Sequence, residues 1–157
     1  TMATYGAQNI GAGNVPRIRQ GFKACTILGI GYSLVAATFI MTAGKYMTYL
    51  FVSEDVDIIM SSVDIYLKCI GLFFIPLAIV NIYRNGIQGL GYGLLPMMAG
   101  VAELIGRGVV ALIAAKERSY LGVCLASPAA WVLAGTLLLI MYFEIMKGKK
   151  DRNLKNR

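Results

Sequence analysis

Histidine is absent from the 157 residues, and charged residues make up only 15% of them. Without histidine the chain cannot form a histidine-based triad, a histidine general base or a histidine metal site, so we expect no enzyme. Soluble domains carry about 25% charged residues, and a water-soluble fold this poor in charge would lack the polar surface to cover itself. The few cysteines lie in apolar runs without metal-ligand spacing, which indicates small hydrophobic residues rather than disulfides: Cys25, Cys69 and Cys124.

Apolar residues are abundant instead, at 57% of the chain, and the mean hydropathy is +0.66. The 21 residues from Ala24 to Gly44 carry no charge, and a helix of that length reaches about 31 Å, close to the hydrocarbon thickness of a bilayer. We therefore expect an all-α membrane protein. Residues 1–23 should hold a basic loop, and 147–157 a frayed basic tail. Four transmembrane helices are predicted at about 24–51, 54–85, 94–115 and 120–146.

The second predicted helix contains several local features. Ser53 is placed to cap its start. Asp64 and Lys68 are spaced i, i+4 and should neutralise each other near the membrane edge. Pro76 should free a backbone carbonyl and kink the helix. The four glycines within 86–93 predict a tight turn before the third helix.

The basic residues are distributed as in a membrane protein with both ends in the cytoplasm. The net charge is +7, and six of the fifteen Lys and Arg residues lie in the last eleven positions. Arg17, Arg19 and Lys23 precede the first span, whereas the next loop, 53–57, is acidic. Short basic loops face the cytoplasm, which places the acidic loop outside; Lys116 and Arg118 oppose this assignment. No base-stacking motif accompanies the charge, so no nucleic-acid partner is expected.

Glu103 and Arg107 are ionisable residues near the middle of the third predicted span. Such residues are costly in a membrane and tend to face a bundle interior or a wet cavity. Their i, i+4 spacing allows a salt bridge on one helix face. The pair either carries protons or substrate along a transport pathway or clamps helices together. We favour the structural clamp, because a self-neutralised pair is poorly placed to bind another charge.

A polar run ends the second predicted helix. Asn81, Arg84 and Gln88 follow an i, i+3, i+7 pattern and share a helix face. They could line a gate or vestibule, although helix termination and anchoring at the membrane interface is the simpler interpretation. The glycine-rich segment 8–13 lacks the preceding strand and the third glycine of a dinucleotide-binding loop, so it predicts no nucleotide site.

Several segments together resemble the multidrug and toxic compound extrusion (MATE) family. Ala7-Gln8-Asn9-Ile10-Gly11-Ala12-Gly13, followed by Arg17, resembles the family's loop after the eighth span. Arg84-Asn85-Gly86-Ile87-Gln88-Gly89-Leu90-Gly91 resembles its motif at the cytoplasmic end of the tenth span. Pro96, Arg107 and the spacing from Gly122 to Trp131 fall where the eleventh and twelfth helices have similar features. The order and spacing of these motifs make the resemblance strong.

The resemblance implies a part of a twelve-span exporter built of two six-helix lobes, from the end of the eighth span through the twelfth. Residues 1–23 would then contain the end of a preceding helix as well as the basic loop. Such exporters move drugs or organic cations outward against H⁺ or Na⁺ by alternating access, in the bacterial plasma membrane here. The chain would need the other lobe as a partner and should not transport alone; its start at Thr1 rather than Met agrees with a fragment. Some members place a carboxylate in the tenth span, but 76–81 has none, which weighs against a sodium site in this part.

Two other interpretations remain open. A flippase of lipid-linked precursors has the same broad architecture, but it would be expected to have a larger, more cationic cavity, which only Arg107 suggests. A small structural membrane protein could instead self-assemble through its glycines. The residues to examine are a transport or gate set, Asn81, Arg84, Gln88, Glu103 and Arg107, and, by the resemblance, a family-motif loop set, Gln8, Asn9, Gly11 and Gly13.

Overall fold

The computed structural model describes residues 2–48 and 56–155, and this part of the chain is helical without any strand. The predicted all-α class is thereby confirmed. Ser53, the expected cap of the second span, lies outside the described residues, as do Glu54 and Asp55. The six helices are α1 (Met2–Gly11), α2 (Val15–Thr48), α3 (Val56–Leu72), α4 (Phe74–Gly89), α5 (Leu94–Lys116) and α6 (Tyr120–Lys155).

Three helices are long and apolar enough to cross a membrane, and a bent pair provides a fourth candidate. The single helices contain the spans Val15–Gly44, Leu94–Lys116 and Tyr120–Gly148. The pair joins Ile59–Leu72 to Phe74–Gly89 at an angle of 48°. Many large apolar side chains point away from the protein, with Leu28, Tyr32, Leu104 and Leu112 each more than 70% exposed. A bilayer is the solvent that such a surface fits.

The basic segment before the first span is helical, which corrects the predicted loop. Asn14 accepts a hydrogen bond from the Arg17 N–H on Oδ1 at 3.2 Å, as an N-cap residue does. Pro16 occupies the first turn of α2, where its missing N–H is tolerated. Helix α2 therefore begins at Val15 rather than near residue 24, because capping rather than the end of the charged residues sets its start.

The bend between α3 and α4 lies at Phe73, three residues before Pro76. Proline lacks the N–H that would bond the Leu72 carbonyl, and its ring crowds that carbonyl. The predicted kink is thereby confirmed. The Ser33 hydroxyl of α2 donates to the Phe74 carbonyl, just after the bend and 3.2 Å away. The predicted Asp64–Lys68 ion pair also forms, at 2.5 Å.

Two predicted boundaries differ from the observed ends of the helices. The segment 86–93 is not all turn, because α4 continues to Gly89 and only residues 90–93 connect it to α5. The tail does not fray at residue 147, because α6 continues to Lys155. Lysine, arginine and leucine dominate this tail and are good helix formers, so the helix outlasts the apolar run.

The core lies where α2, α4 and α6 meet. Phe22 of α2 stacks against Tyr83 of α4 and Tyr142 of α6, with ring centroids 5.2 and 4.4 Å apart. Tyr83 and Tyr142 meet edge to face at 5.1 Å. Aromatic pairs at these separations add to the burial energy of their rings. Helix α1 packs across α2 and α4, while α5 and α6 form an antiparallel hairpin whose α6 side also contacts α3.

Candidate transport site

One carboxylate joins two arginines between α4 and α5. Arg84 Nη2 lies 2.6 Å from Glu103 Oε2, and Arg107 Nη2 lies 2.9 Å from Glu103 Oε1. The Glu103 side chain is 17% exposed, whereas Arg84 and Arg107 are 32% and 46% exposed. The three residues, here called the ion cluster, carry a net charge of +1.

The ion cluster combines one local contact with one contact between helices. Glu103 and Arg107 lie one turn apart on α5, so the predicted pair forms from helix geometry alone. Arg84 reaches Glu103 from α4, which the short connection at 90–93 places antiparallel to α5. Sequence reasoning assigned Arg84 to a different polar face and missed this contact. The opposite charges were visible, but nothing in the sequence specifies how α4 rotates about its axis toward α5.

Arg84 contacts Glu103 through one terminal nitrogen of its guanidinium, Nη2. Its Nε is buried and meets no hydrogen-bond acceptor among the described residues. Each oxygen of Glu103 accepts from a different arginine, so neither pair has the bidentate geometry that gives the strongest arginine–carboxylate contacts. Breaking the Arg84–Glu103 contact would leave charges in a largely dry environment, which makes this pair costly to disrupt.

The other predicted gate residues do not join the ion cluster. Asn81 donates through Nδ2 to the Leu77 carbonyl of its own helix at 2.9 Å, and its side chain faces α2. Gln88 is exposed near the end of α4. The expected face of Asn81, Arg84 and Gln88 is therefore split among a groove, an ion pair and the protein surface, and its role in a gate stays a prediction.

A groove of about 520 Å³ runs between α2 and α4, and we call it the α2–α4 groove. Its polar side chains are Tyr32, Ser33 and Asn81, and none of the described residues lining it is charged. Volumes of this size are typical of sites for small organic molecules. The remaining lining is apolar: Gly29, Ala36, Ile40, Phe74, Leu77, Ala78 and Ile82.

The family-motif loop reverses the chain between α1 and α2. Gly13 adopts a left-handed φ of +68°, while its N–H donates to Ile10 and the Asn14 N–H to Asn9. This pattern is the Schellman ending of a helix, in which glycine is the favoured residue. Asn9 is buried and donates to the Tyr5 carbonyl at 2.8 Å, whereas Gln8 and Gly11 are exposed. The visible contacts of the loop are structural.

Glycines of the second family motif, Arg84–Gly91, pack α4 against α1. Gly6 of α1 approaches the Gly86 carbonyl, and a methyl group at Gly6 would lie 3.4 Å from that oxygen. A methyl group at Gly86 would collide with the Phe22 ring, and one at Gly89 would collide with the Ala3 backbone. These glycines therefore permit close helix packing. The sequence analysis placed Gly86 and Gly89 in a turn, so their packing role was missed.

Among the described residues, no group of three or more Cys, Asp or Glu side chains is arranged to hold a metal ion. Apolar spans and a bent helix pair define a helical membrane protein, with charged side chains paired between α4 and α5. The family model MatE matches residues 1–113, and the chain belongs to that family of transporters. The matched segment includes every residue of the ion cluster, the α2–α4 groove and the family-motif loop. No curated protein and no solved structure matches the chain.

Proposed function

We propose that the chain forms part of a secondary active exporter that moves drugs or other organic cations out of the cell in exchange for H⁺ or Na⁺. The MatE match over residues 1–113 carries this proposal. In such a transporter the two lobes rock against each other around a midplane cavity. This chain would supply part of the wall of one lobe, in the bacterial plasma membrane, with the other lobe as its partner.

The α2–α4 groove is the proposed contact surface for substrate. Its aliphatic lining suits a lipophilic compound, and Tyr32 offers an exposed aromatic face on which an organic cation can rest. Asn81 adds a carbonyl acceptor. Broad recognition of lipophilic cations follows from such a surface, because apolar and aromatic contacts are less directional than ion pairs.

The ion cluster is the proposed clamp between α4 and α5. Glu103 accepts from both arginines and is therefore already paired. A carboxylate in this state holds the helices in one arrangement, and movement of α4 relative to α5 would have to break the Arg84 contact. Proton coupling by Glu103 is the competing role, and the Glu103 variants argued in the Discussion separate the two.

The flippase alternative is less well supported by the geometry. A flippase of lipid-linked precursors has to accommodate a diphosphate, which calls for free cations in its cavity. Arg107 and Arg84 share the Glu103 carboxylate instead, and the described lining of the α2–α4 groove is uncharged. Both observations favour export of lipophilic organic cations.

Everted vesicles containing the chain together with its proposed first lobe test the function. An imposed H⁺ or Na⁺ gradient should drive uptake of a fluorescent organic cation. Tyr32→Ala should raise the KM for that cation several-fold, because the variant loses an aromatic contact in the α2–α4 groove. Phe39→Ala is the matched control, since Phe39 is an exposed aromatic residue of α2 outside the groove.

Three results would contradict the proposal. Uptake of the cation that depends on neither the H⁺ nor the Na⁺ gradient would exclude secondary active transport. Equal effects of Tyr32→Ala and Phe39→Ala would remove the groove from the pathway. Drug resistance conferred by the 157-residue chain alone would show that no second lobe is needed.

A further inference from the structure

A second groove lies between the start of α2 and the C-terminal part of α6. It has a volume of about 350 Å³ and is lined by Arg19, Tyr142, Phe143, Met146 and Lys147. We call it the basic groove. The two helices are bridged here by a hydrogen bond from Arg19 Nη2 to the Met146 carbonyl, 3.1 Å long. One turn further along, Phe22 stacks on Tyr142.

The chemistry of the basic groove suits a single anion. Arg19 and Lys147 are exposed cations, and none of the described residues lining the groove is acidic. A guanidinium has five N–H donors, and the Met146 carbonyl occupies one of them. The remaining donors of Arg19 and the ammonium of Lys147 can bind phosphate oxygens through charge-assisted hydrogen bonds. Glu144, the nearest acid on α6, does not line the groove.

The position of the basic groove indicates where that anion comes from. Arg19 lies four residues inside the first span, Val15–Gly44, and Lys147 is the penultimate residue of the last span, Tyr120–Gly148. Both cations therefore lie at one membrane edge, where lipid headgroups are. Phe143 is 64% exposed beside them and offers apolar contact to an acyl chain.

We propose that the basic groove binds the phosphodiester of an anionic phospholipid, with Arg19 and Lys147 on the phosphate and Phe143 against the acyl chain. Basic pockets between transmembrane helices at the cytoplasmic side are suited to such headgroups. The site requires no transport activity and is independent of the proposed substrate.

Native mass spectrometry of the delipidated 157-residue chain in neutral detergent tests the site. Short-chain phosphatidylglycerol should bind saturably and more tightly than short-chain phosphatidylcholine, which has the same phosphodiester but no net charge. Lys147→Ala should weaken phosphatidylglycerol binding roughly fivefold, the effect of one basic residue near an anionic headgroup. Arg19→Ala should weaken it at least as much, and circular dichroism melting checks that this variant still folds.

Arg17→Ala is the matched control, because Arg17 is an exposed cation of the same helix turn that does not line the basic groove. It should leave the affinity unchanged. If Arg17→Ala and Lys147→Ala weaken phosphatidylglycerol binding equally, the lipid is attracted by the basic surface in general and not by this groove, and the proposal is overturned. Equal affinity for the two lipids would also overturn the proposal. Displacement of phosphatidylglycerol by an equal concentration of inorganic phosphate would overturn it too, because the groove would then be a site for free anions.

Discussion

Glu103 is the counter-ion of two arginines, Arg84 and Arg107. Removing its charge by Glu103→Gln leaves Arg84 and Arg107 facing each other without a counter-ion. Because Glu103 is largely buried, the loss should cost about 3 kcal/mol, the lower end of what breaking a buried pair costs. We expect a clear fall in the thermal midpoint in detergent. An unchanged midpoint combined with lost coupled efflux would instead identify Glu103 as a proton carrier.

Replacing Arg84 and replacing Arg107 should restore the stability of Glu103→Gln to different extents. Arg84 is the closer and less exposed partner, whereas Arg107 is nearly half exposed, and exposed pairs contribute at most about 1 kcal/mol. The double variant Glu103→Gln with Arg84→Gln should therefore melt above Glu103→Gln alone, and the double variant with Arg107→Gln should recover less. The melting midpoints of the four proteins decide the point. Equal recovery in the two double variants would contradict the assigned order of the contacts.

Arg118 occupies a position that favours glycine. Its φ is +49°, its N–H donates to Ala115, and the Ser119 N–H donates to Ala114, which makes it the left-handed residue of a Schellman ending. Gly13 and Gly91 hold the same position after α1 and α4, at φ of +68° and +92°. Arg118→Gly should therefore stabilise the chain by about 1 kcal/mol.

The matched control for Arg118→Gly is Lys116→Gly, at the last residue of α5. A glycine there has no left-handed strain to relieve, and within a helix it costs up to about 1 kcal/mol. The two substitutions should move the thermal midpoint in opposite directions. A fall for Arg118→Gly would mean that the arginine side chain contributes more than its backbone strain costs.

At the scale of helices, the bend at Phe73 should disappear when its cause is removed. Pro76→Ala restores an N–H that can bond the Leu72 carbonyl. Spin labels on the exposed residues Ser61 and Gln88 flank the bend, and straightening 48° over arms of this length should lengthen their separation by about 3 Å. Pulsed electron paramagnetic resonance measures this distance.

Pro128→Ala is the control for the bend, because α6 continues through Pro128 without a break. It should leave the distance between the two labels unchanged. An unchanged distance in Pro76→Ala would mean that packing, including the Ser33 bond to the Phe74 carbonyl, holds the bend without the proline.

Local geometry made part of this structure predictable from the sequence. The Asp64–Lys68 and Glu103–Arg107 pairs depend only on one helical turn, and the kink depends only on Pro76. The start of α2 was also encoded locally, in the cap at Asn14, but counting uncharged residues overlooked it. The end of α4 at Gly89 and the end of α6 at Lys155 were missed for the same reason. The length of an apolar run does not determine where the backbone hydrogen bonds of a helix stop.

Contacts between helices could not be predicted in this way. Arg84 meets Glu103, and Arg19 meets the Met146 carbonyl 127 positions along the chain, only because of how α4 and α6 are rotated and packed. The same holds for Gly86 beneath the Phe22 ring. A sequence specifies which face of a helix is polar, whereas the pairing of faces depends on the whole bundle.

At the scale of the whole molecule, two contacts show which helix ends lie together. Arg19 near the start of α2 bonds Met146 near the end of α6. At the opposite ends of the bundle, the Tyr120 hydroxyl at the start of α6 donates to the Ser62 carbonyl of α3 at 3.0 Å. The chain thus crosses the membrane an even number of times between Arg19 and Met146, if the bent pair counts as one span.

Charge predicts the side of the membrane on which each end lies. The end that contains Arg19 also carries Arg17, Lys23 and the basic tail, so the positive-inside tendency predicts that this end faces the cytoplasm. In a background with the three native cysteines replaced, Glu117→Cys in the exposed α5–α6 turn should react with an impermeant thiol reagent added to intact cells. Gly93→Cys, exposed in the α4–α5 turn, should react only after the membrane is permeabilised. Because the two turns lie at opposite ends of the same helix, a reversed pattern would invert the topology, and labelling of both in intact cells would mean that α5 does not span the bilayer.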